Sequence, residues 1–451
     1  FFFLFFFFFF FCVGCGLFGW GCVGGFFCCG GCGVGGVGVG WCGWRGGFGA
    51  AVSRPGAFVV LGSATPSVDS YERARTGEYQ VYQLSMRVPG RMLPDTEIID
   101  LREELKAGNR SIFSARLREL MEDRLSKGQQ IMLFLNRRGY AGFVSCRACG
   151  HVIKCPHCDI SLSLHTGGRM ICHYCGYQSA AVKKCPSCGS AYIGAFRAGT
   201  QQVAEQAGKE FPGARVLRMD FDTTKQKGGH EKILEAFSRR EADILVGTQM
   251  IVKGHDFPGV TLVGILAADL SLYAGDYRAS ERTFQLLTQA AGRAGRGTEK
   301  GVAVIQTYSP DHYSVTAAAA QDYESFFRQE MAYRQLMYYP PASHLLALYL
   351  MSEKEEELDT GAGILKELAA RTAEETRREM RQTERNVIHM IGPAEAGLAK
   401  LKDVYRRVLY VKCGNLALLL AWKEKLETEL GREERLRALN IQFDMDPVNP
   451  F

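Results

Sequence analysis

Eight cysteines between positions 146 and 188 constrain this chain more than any other feature. They fall as four Cys-x-x-Cys pairs: Cys146/Cys149, Cys155/Cys158, Cys172/Cys175 and Cys185/Cys188. Each pair brings two thiolates onto one ion, and two pairs complete a closed tetrahedral zinc site. Gly150, Gly176 and Gly189 directly follow a second cysteine, where a tight turn calls for positive φ. The spacing therefore predicts two structural Zn²⁺ ions. The five residues between the first two pairs make a cramped loop, whereas the longer span from Cys158 to Cys172 suits a ribbon. That favours a nested arrangement, with Cys146, Cys149, Cys185 and Cys188 on one zinc and Cys155, Cys158, Cys172 and Cys175 on the other. His151, His157, His165 and His173 lie nearby but find no ligand slot left, so they read as surface groups or as partners of the ligands.

The remaining cysteines are seven before residue 45 and Cys413. Residues 1–44 use only Phe, Leu, Cys, Val, Gly and Trp. Those six are the amino acids encoded by codons built from G and T alone. The expectation is that 1–50 is a low-complexity, non-native tract. As a membrane span, 1–11 is too short, has no basic residue ahead of it and is followed by glycine. Clustered cysteine pairs without an export signal read as metal ligands of a cytoplasmic protein rather than disulfides. A length of 451 residues implies two to four domains, and a net charge of +6 permits nucleic-acid binding without demanding it.

From residue 57 the text alternates buried strands with helices, which argues for a parallel sheet covered on both faces. Strands are expected at 57–61, 98–100, 130–135, 214–219, 243–246, 261–266 and 302–306. Helices are expected at 68–78, 113–127, 201–211, 229–238 and 281–292. The cysteine block interrupts this pattern as an insertion. Beyond 311 the character changes to helices up to 337, a strand at 345–351, a long charged helix over 353–384, strands at 387–391 and 408–411, and a helix over 415–430. These predict a separate α+β domain. The run Lys400, Lys402, Arg406 and Arg407 either contacts phosphates or forms a solvated face.

Four motifs carry candidate chemistry. Gln289, Arg293 and Arg296 recur three to four residues apart, so on a helix they share one face. Two guanidiniums and a carboxamide aimed at a cleft can grip a triphosphate. Gly247-Thr248-Gln249-Met250-Ile251-Val252-Lys253-Gly254-His255-Asp256-Phe257-Pro258 follows a buried strand. Ser63 and Thr65 follow another, where their hydroxyls either relay hydrogen bonds between sites or simply make a turn. Arg137 and Arg138 after the 130–135 strand either hold phosphate or sit in a solvated loop.

Together LGSATPS at 61–67, the eight cysteines, GTQMIVKGHDFPGV at 247–260, QAAGRAGR at 289–296 and YYPPA at 338–342 resemble the PriA family of primosomal replication-restart helicases, in superfamily 2. The resemblance spans about 51–451. It implies a RecA-like helicase lobe with a parallel sheet over 96–143 and 191–310, interrupted at 144–190 by the two-zinc insertion. Residues 51–95 would be the remnant of a first RecA-like lobe plus a linker, and 311–451 a C-terminal DNA- or partner-binding domain. Gln289, Arg293 and Arg296 match the motif that reaches ATP from the second lobe, with Arg296, and Arg293 as a second candidate beside it, stabilising charge on the transferring phosphoryl group. Gly254 and Asp256 match the motif that meets both nucleotide and DNA; Thr248, Gln249 and Lys253 would face the DNA backbone. Arg137, from its place after a strand tip, is a further candidate DNA contact. Ser63 and Thr65 match the motif coupling hydrolysis to unwinding.

The resemblance also implies ATP and Mg²⁺ as cofactors, 3′→5′ movement on single-stranded and forked DNA, and single-strand-binding protein and other primosome proteins as partners, with a nucleoid-associated location and no membrane. The chain departs from the pattern in one respect. Neither a phosphate-cradling loop ending in Gly-Lys-Ser/Thr nor an acidic Mg²⁺ motif is found, so this polypeptide by itself is expected to hydrolyse no ATP. The alternative expectation is a non-catalytic zinc-ribbon module that binds DNA or a partner.

Overall fold

The structure is a computed structural model. It describes residues 7–8, 21–22, 61–84, 92–135, 142–158, 160–165, 167–195, 199–220, 223–224, 228–252, 256–273, 276–297, 299–381 and 387–447. The chain divides into two compact units, one ending at Pro89 and one covering Gly90–Asp446. In the first, the helix α1 (Val68–Arg75) is capped by Ser67, whose hydroxyl accepts from the Ser70 amide. The strand expected at 57–61 lies outside the described residues but for Leu61, and 1–50 lies outside them but for a two-residue pairing of Phe7–Phe8 with Gly21–Cys22.

In the second unit the chain runs β1 (Asp95–Asp100), α2 (Ala115–Ser126) and β2 (Gln130–Leu135), then leaves for the cysteine insertion. It returns as α3 (Thr200–Glu210), β3 (Val216–Met219), α4 (Gly229–Ser238), β4 (Ile244–Gly247), β5 (Val260–Leu266), α5 (Ala279–Ala291) and β6 (Val302–Thr307). The six strands form one parallel sheet in the order β3-β4-β2-β5-β6-β1. The described residues of β2, β4 and β5 are buried throughout, which is why these strands read as continuous apolar runs rather than alternating ones. Helix α2 starts where Ser114 accepts from the Leu117 amide, and it buries Leu117, Leu120 and Met121 on the sheet. Gly264 makes room for it: a Cβ there would lie 2.9 Å from Leu133 Cδ2 and 3.1 Å from the Leu117 methyls.

Most bounds move by one to three residues, and two differences bear on the site. The first strand begins at Asp95 rather than 98, because its backbone pairs along the whole of β6. The arginine stretch is not helical to its end: α5 stops at Ala291.

The C-terminal part carries α6 (Tyr313–Ala320), α7 (Tyr323–Leu336), β7 (His344–Ser352), α8 (Glu355–Glu379), β8 (His389–Leu401), β9 (Val404–Cys413), α9 (Leu416–Arg432) and β10 (Asn440–Met445). Its antiparallel sheet has the order β8-β9-β7-β10. Strands β8 and β9 are longer than 387–391 and 408–411, and β10 was not anticipated. The basic run is split by the β8–β9 turn. Lys400 pairs with Asp403 at 3.2 Å, while Arg407 is held by Asp359 at 2.8 Å and Glu355 at 3.4 Å on α8.

Successive residues of β7 point to opposite faces. Leu346, Leu348 and Leu350 join α8 and α9 in one core with Trp422 at its centre. Leu345, Ala347 and Tyr349 face the other way, into a core shared with the cysteine insertion. Strand β9 divides likewise: Leu409, Val411 and Cys413 to the helices, Val408 and Tyr410 to the insertion. The insertion is therefore one layer of a three-layer stack.

Candidate functional site

The two candidate centres are built by short backbone devices. At the end of α5 the amides of Arg293 and Ala294 donate to Ala290 and Ala291, three residues back, so the helix tightens and stops. Gly295 then adopts φ +71°, and its amide donates to the Val260 carbonyl at the start of β5. Gly297 lies over Pro258, whose carbonyl oxygen would be 2.6 Å from any Cβ at that position. Glycine at both positions thus lets the turn press onto the 256–260 loop. The result brings Arg296 Nη1 to 3.3 Å from Asp256 Oδ1, while Arg296 Nε donates to the Gly292 carbonyl at 3.1 Å.

Arg293 lies beside this pair, 7 % exposed. Burial, then the like charge of Arg296, pulls its pKa from 12.5 to about 10, against a smaller opposing pull from Asp256. A guanidinium so placed is still charged at neutral pH and is energetically primed for an anion. Gln289, half-buried on the last turn of α5, precedes the turn.

Residues 248–252 follow the C-terminal end of β4, and 256–259 precede β5. Gly247 permits the sharp start of 248–252: a Cβ there would be 2.5 Å from Ile251 Cγ2 and 2.7 Å from the Met219 carbonyl. Thr248 and Gln249 are half-buried at that end, and the short helix Gln249–Val252 contacts α5. Lys253, Gly254 and Arg137 lie outside the described residues. Ser63 donates no helix cap but accepts from the Thr65 amide at 3.1 Å, and both belong to the first unit.

Sequence reasoning passed over Asp220, which directly follows β3. Its carboxylate accepts from the Thr200 hydroxyl at 2.6 Å and the Thr223 amide at 3.0 Å, and pairs with Arg218 at 3.1 Å. Burial pushes its pKa up, but these partners outweigh that and hold it below the usual range. A charged residue directly after the end of a strand, Asp220 after Met219, was the available signal.

The cysteines form the two nested groups, Cys146/Cys149/Cys185/Cys188 and Cys155/Cys158/Cys172/Cys175, with all four sulfurs of each within 4.8 Å of one another. One hydrogen bond recurs in all four pairs. The amide of the first cysteine donates to the carbonyl five residues on: Cys146 to His151, Cys155 to Ile160, Cys172 to Tyr177 and Cys185 to Ser190, each at 2.8–2.9 Å. Gly150, Gly176 and Gly189 have φ of +77°, +78° and +70°, as the knuckle requires. Four sulfurs placed tetrahedrally at about 2.3 Å from zinc would be about 3.8 Å apart. Sγ separations of 3.6 Å (Cys146–Cys188 and Cys149–Cys185) and 3.5 Å (Cys155–Cys175) fit that geometry. The donor set, all thiols and no carboxylate, suits structural zinc and offers no open position. His165 and His173 contact each other at 3.0 Å through Nε2 and stand outside both groups.

The inner group is joined to the rest of the unit by stacked tyrosines. Tyr174 stacks on Tyr410 of β9 at 4.7 Å, and Tyr339 stacks on Tyr277 of the parallel-sheet lobe at 4.6 Å, meeting Tyr174 edge-on at 6.4 Å. Lys412 Nζ sits 3.5 Å over the Tyr339 ring and donates to the Met337 carbonyl. Beneath them Arg334, fully buried, bridges Glu281 of α5 at 2.6 Å and Glu330 at 2.8 Å.

Three family models match: the PriA DNA helicase Cys-rich region domain at 155–179, the helicase conserved C-terminal domain at 193–298 and the primosomal protein N C-terminal domain at 335–448. The chain is 46 % identical over 390 residues to the replication restart protein PriA of Bacillus subtilis, covering 86 % of this chain and 47 % of that protein. It is 40 % identical over 400 residues to the protein of the same name from Synechocystis, covering 87 % and 46 %, and 36 % identical over 403 residues to that of Chlamydia pneumoniae, covering 88 % and 51 %. The chain thus spans about half the length of the curated relatives it matches. With the parallel lobe, the nested cysteine groups and the C-terminal sheet all in the matched order, the chain belongs to the PriA family of replication-restart helicases.

Proposed function

We propose that this chain provides the arginine-bearing half of an ATP-driven DNA helicase that restarts replication at forks. Arg296 and Arg293 would face the β- and γ-phosphates of an ATP whose Mg²⁺ and remaining contacts come from a preceding lobe. Asp256 would hold Arg296 in place until nucleotide arrives. When bound, ATP and Mg²⁺ supply the phosphoryl group and charge neutralisation; the chain's own part is to hold two guanidiniums where charge develops. Thr248 and Gln249, with Lys253, would meet the DNA backbone, and Ser63 and Thr65 would couple the two lobes. The 3′→5′ direction, forked and single-stranded DNA as substrates, and single-strand-binding and primosome proteins as partners belong to this reading, as does a place at the nucleoid. Among the described residues no helix is long and apolar enough to cross a membrane.

The observation that carries the reading is Arg293, buried against a second arginine. A binding module built on the zinc ribbon alone has no use for so costly a pair. The test is ATP turnover and forked-DNA binding by the purified chain. The expectation is salt-sensitive DNA binding with no turnover at any DNA concentration. Turnover by the chain by itself, or no affinity for forked DNA at low salt, overturns the reading.

A further inference from the structure

The two cysteine groups differ in what covers them. In the inner group Cys155, Cys158 and Cys172 are buried and belong to the core that also contains Tyr174, Tyr277, Tyr339 and Tyr410; Cys175 packs against it. The lobe, the connector before β7 and the C-terminal sheet all close over this group. Its knuckle at Gly176 lies against β8: a Cβ there would be 3.6 Å from the Ala394 methyl. No cysteine of the outer group belongs to that core. There Cys146 and Cys185 are buried, Cys149 is half-buried and Cys188 is exposed. One outer knuckle is anchored, since Gly150 lies under the Tyr308 carbonyl. The other is open: residues 186–189 are exposed, Gly189 has no neighbour within 4 Å of its absent side chain, and Lys183 and Lys184 flank it in solvent.

Zinc-bound thiolates stay nucleophilic, and their rate of oxidation follows access and a positive surround. We propose that the outer group is a peroxide-sensitive modification site that gives up its zinc, with Cys188 attacked first, while the inner group keeps its metal and holds the three layers together. This rests on the reading that each group carries zinc. In the first step the Cys188 thiolate attacks a peroxide oxygen. An S–O bond forms, the O–O bond breaks, and hydroxide leaves to become water. Cys146, whose sulfur lies 3.6 Å away, then attacks the sulfenic sulfur; an S–S bond forms and a second hydroxide leaves. Two thiolates lose two electrons and one peroxide becomes two waters after taking up two protons. Zinc, left with two thiolates, dissociates.

The test uses the chain as isolated, its metal content measured first, with hydrogen peroxide in excess and a chromogenic chelator counting released zinc. Two equivalents should leave in two phases, the first at least about tenfold faster. Peptide mapping by mass spectrometry after the first phase should find a Cys146–Cys188 disulfide and unmodified Cys155, Cys158, Cys172 and Cys175. The C188S variant should lose the fast phase and keep the slow one. Release of both equivalents at one rate, or oxidation of the inner cysteines first, overturns the proposal while leaving the zinc reading intact. A metal content near zero overturns both.

Discussion

Two side chains held where water would suit them better show what this molecule gives up. Arg293 has its pKa lowered from 12.5 to about 10. Its charged form at pH 7 therefore costs about 3 kcal/mol, at 1.36 kcal/mol per unit. Below pH 10 that cost is fully present, so removing the charge should stabilise the chain. R293M should unfold at a higher urea concentration than wild type at pH 7, and a midpoint that drops by the equivalent of more than about 1 kcal/mol contradicts this assignment of cost. Lys412 is similar: burial lowers its pKa from 10.5 to about 8. The unfolded chain then binds more protons between pH 8 and 10.5, so stability should rise with pH across that window. Comparing wild type with K412M from pH 7 to 10 isolates the effect, which should vanish in the variant. Arg334 is the opposite case. It joins two buried carboxylates, and burial already pushes Glu330 up, so R334M would strand both and should cost about 3–5 kcal/mol by chemical unfolding.

Elements show where sequence text is a sufficient guide and where it is not. Strand β2 at 130–135 and helix α4 at 229–238 coincide with their expected bounds, because apolar periodicity and the flanking glycines speak locally. The nested cysteine groups were equally legible, since loop length limits which pairs can meet. The arginine turn was not. Its alanines and three-to-four spacing read as helix, but the deciding contacts are from Gly295 to Val260 and from Gly297 to Pro258, far away in sequence. G297A should displace the 256–260 loop and loosen the Arg296–Asp256 pair, read as faster amide exchange over 256–260; unchanged exchange there contradicts the close-contact argument. The apolar run of β7 held a signal that went unused: an antiparallel strand without alternation must be covered on both faces, and the second cover is the cysteine insertion.

At the scale of the whole molecule, a parallel-sheet lobe, a cysteine-rich insertion and an antiparallel domain share one buried junction of tyrosines. Helix α5 runs from that junction, at Glu281, to the arginine turn, so the candidate nucleotide end and the cysteine-rich layer are tied to the same rigid element. The proposal that this lobe supplies arginines to ATP is tested most directly in a chimera with a relative. The part of the Bacillus subtilis relative that lies outside the matched region would be combined with this chain, and DNA-stimulated ATP hydrolysis measured for the chimera and its R296A variant. The expected result is DNA-dependent turnover in the chimera, reduced at least about 10³-fold in the variant with DNA binding retained. Equal turnover by the two would contradict the account.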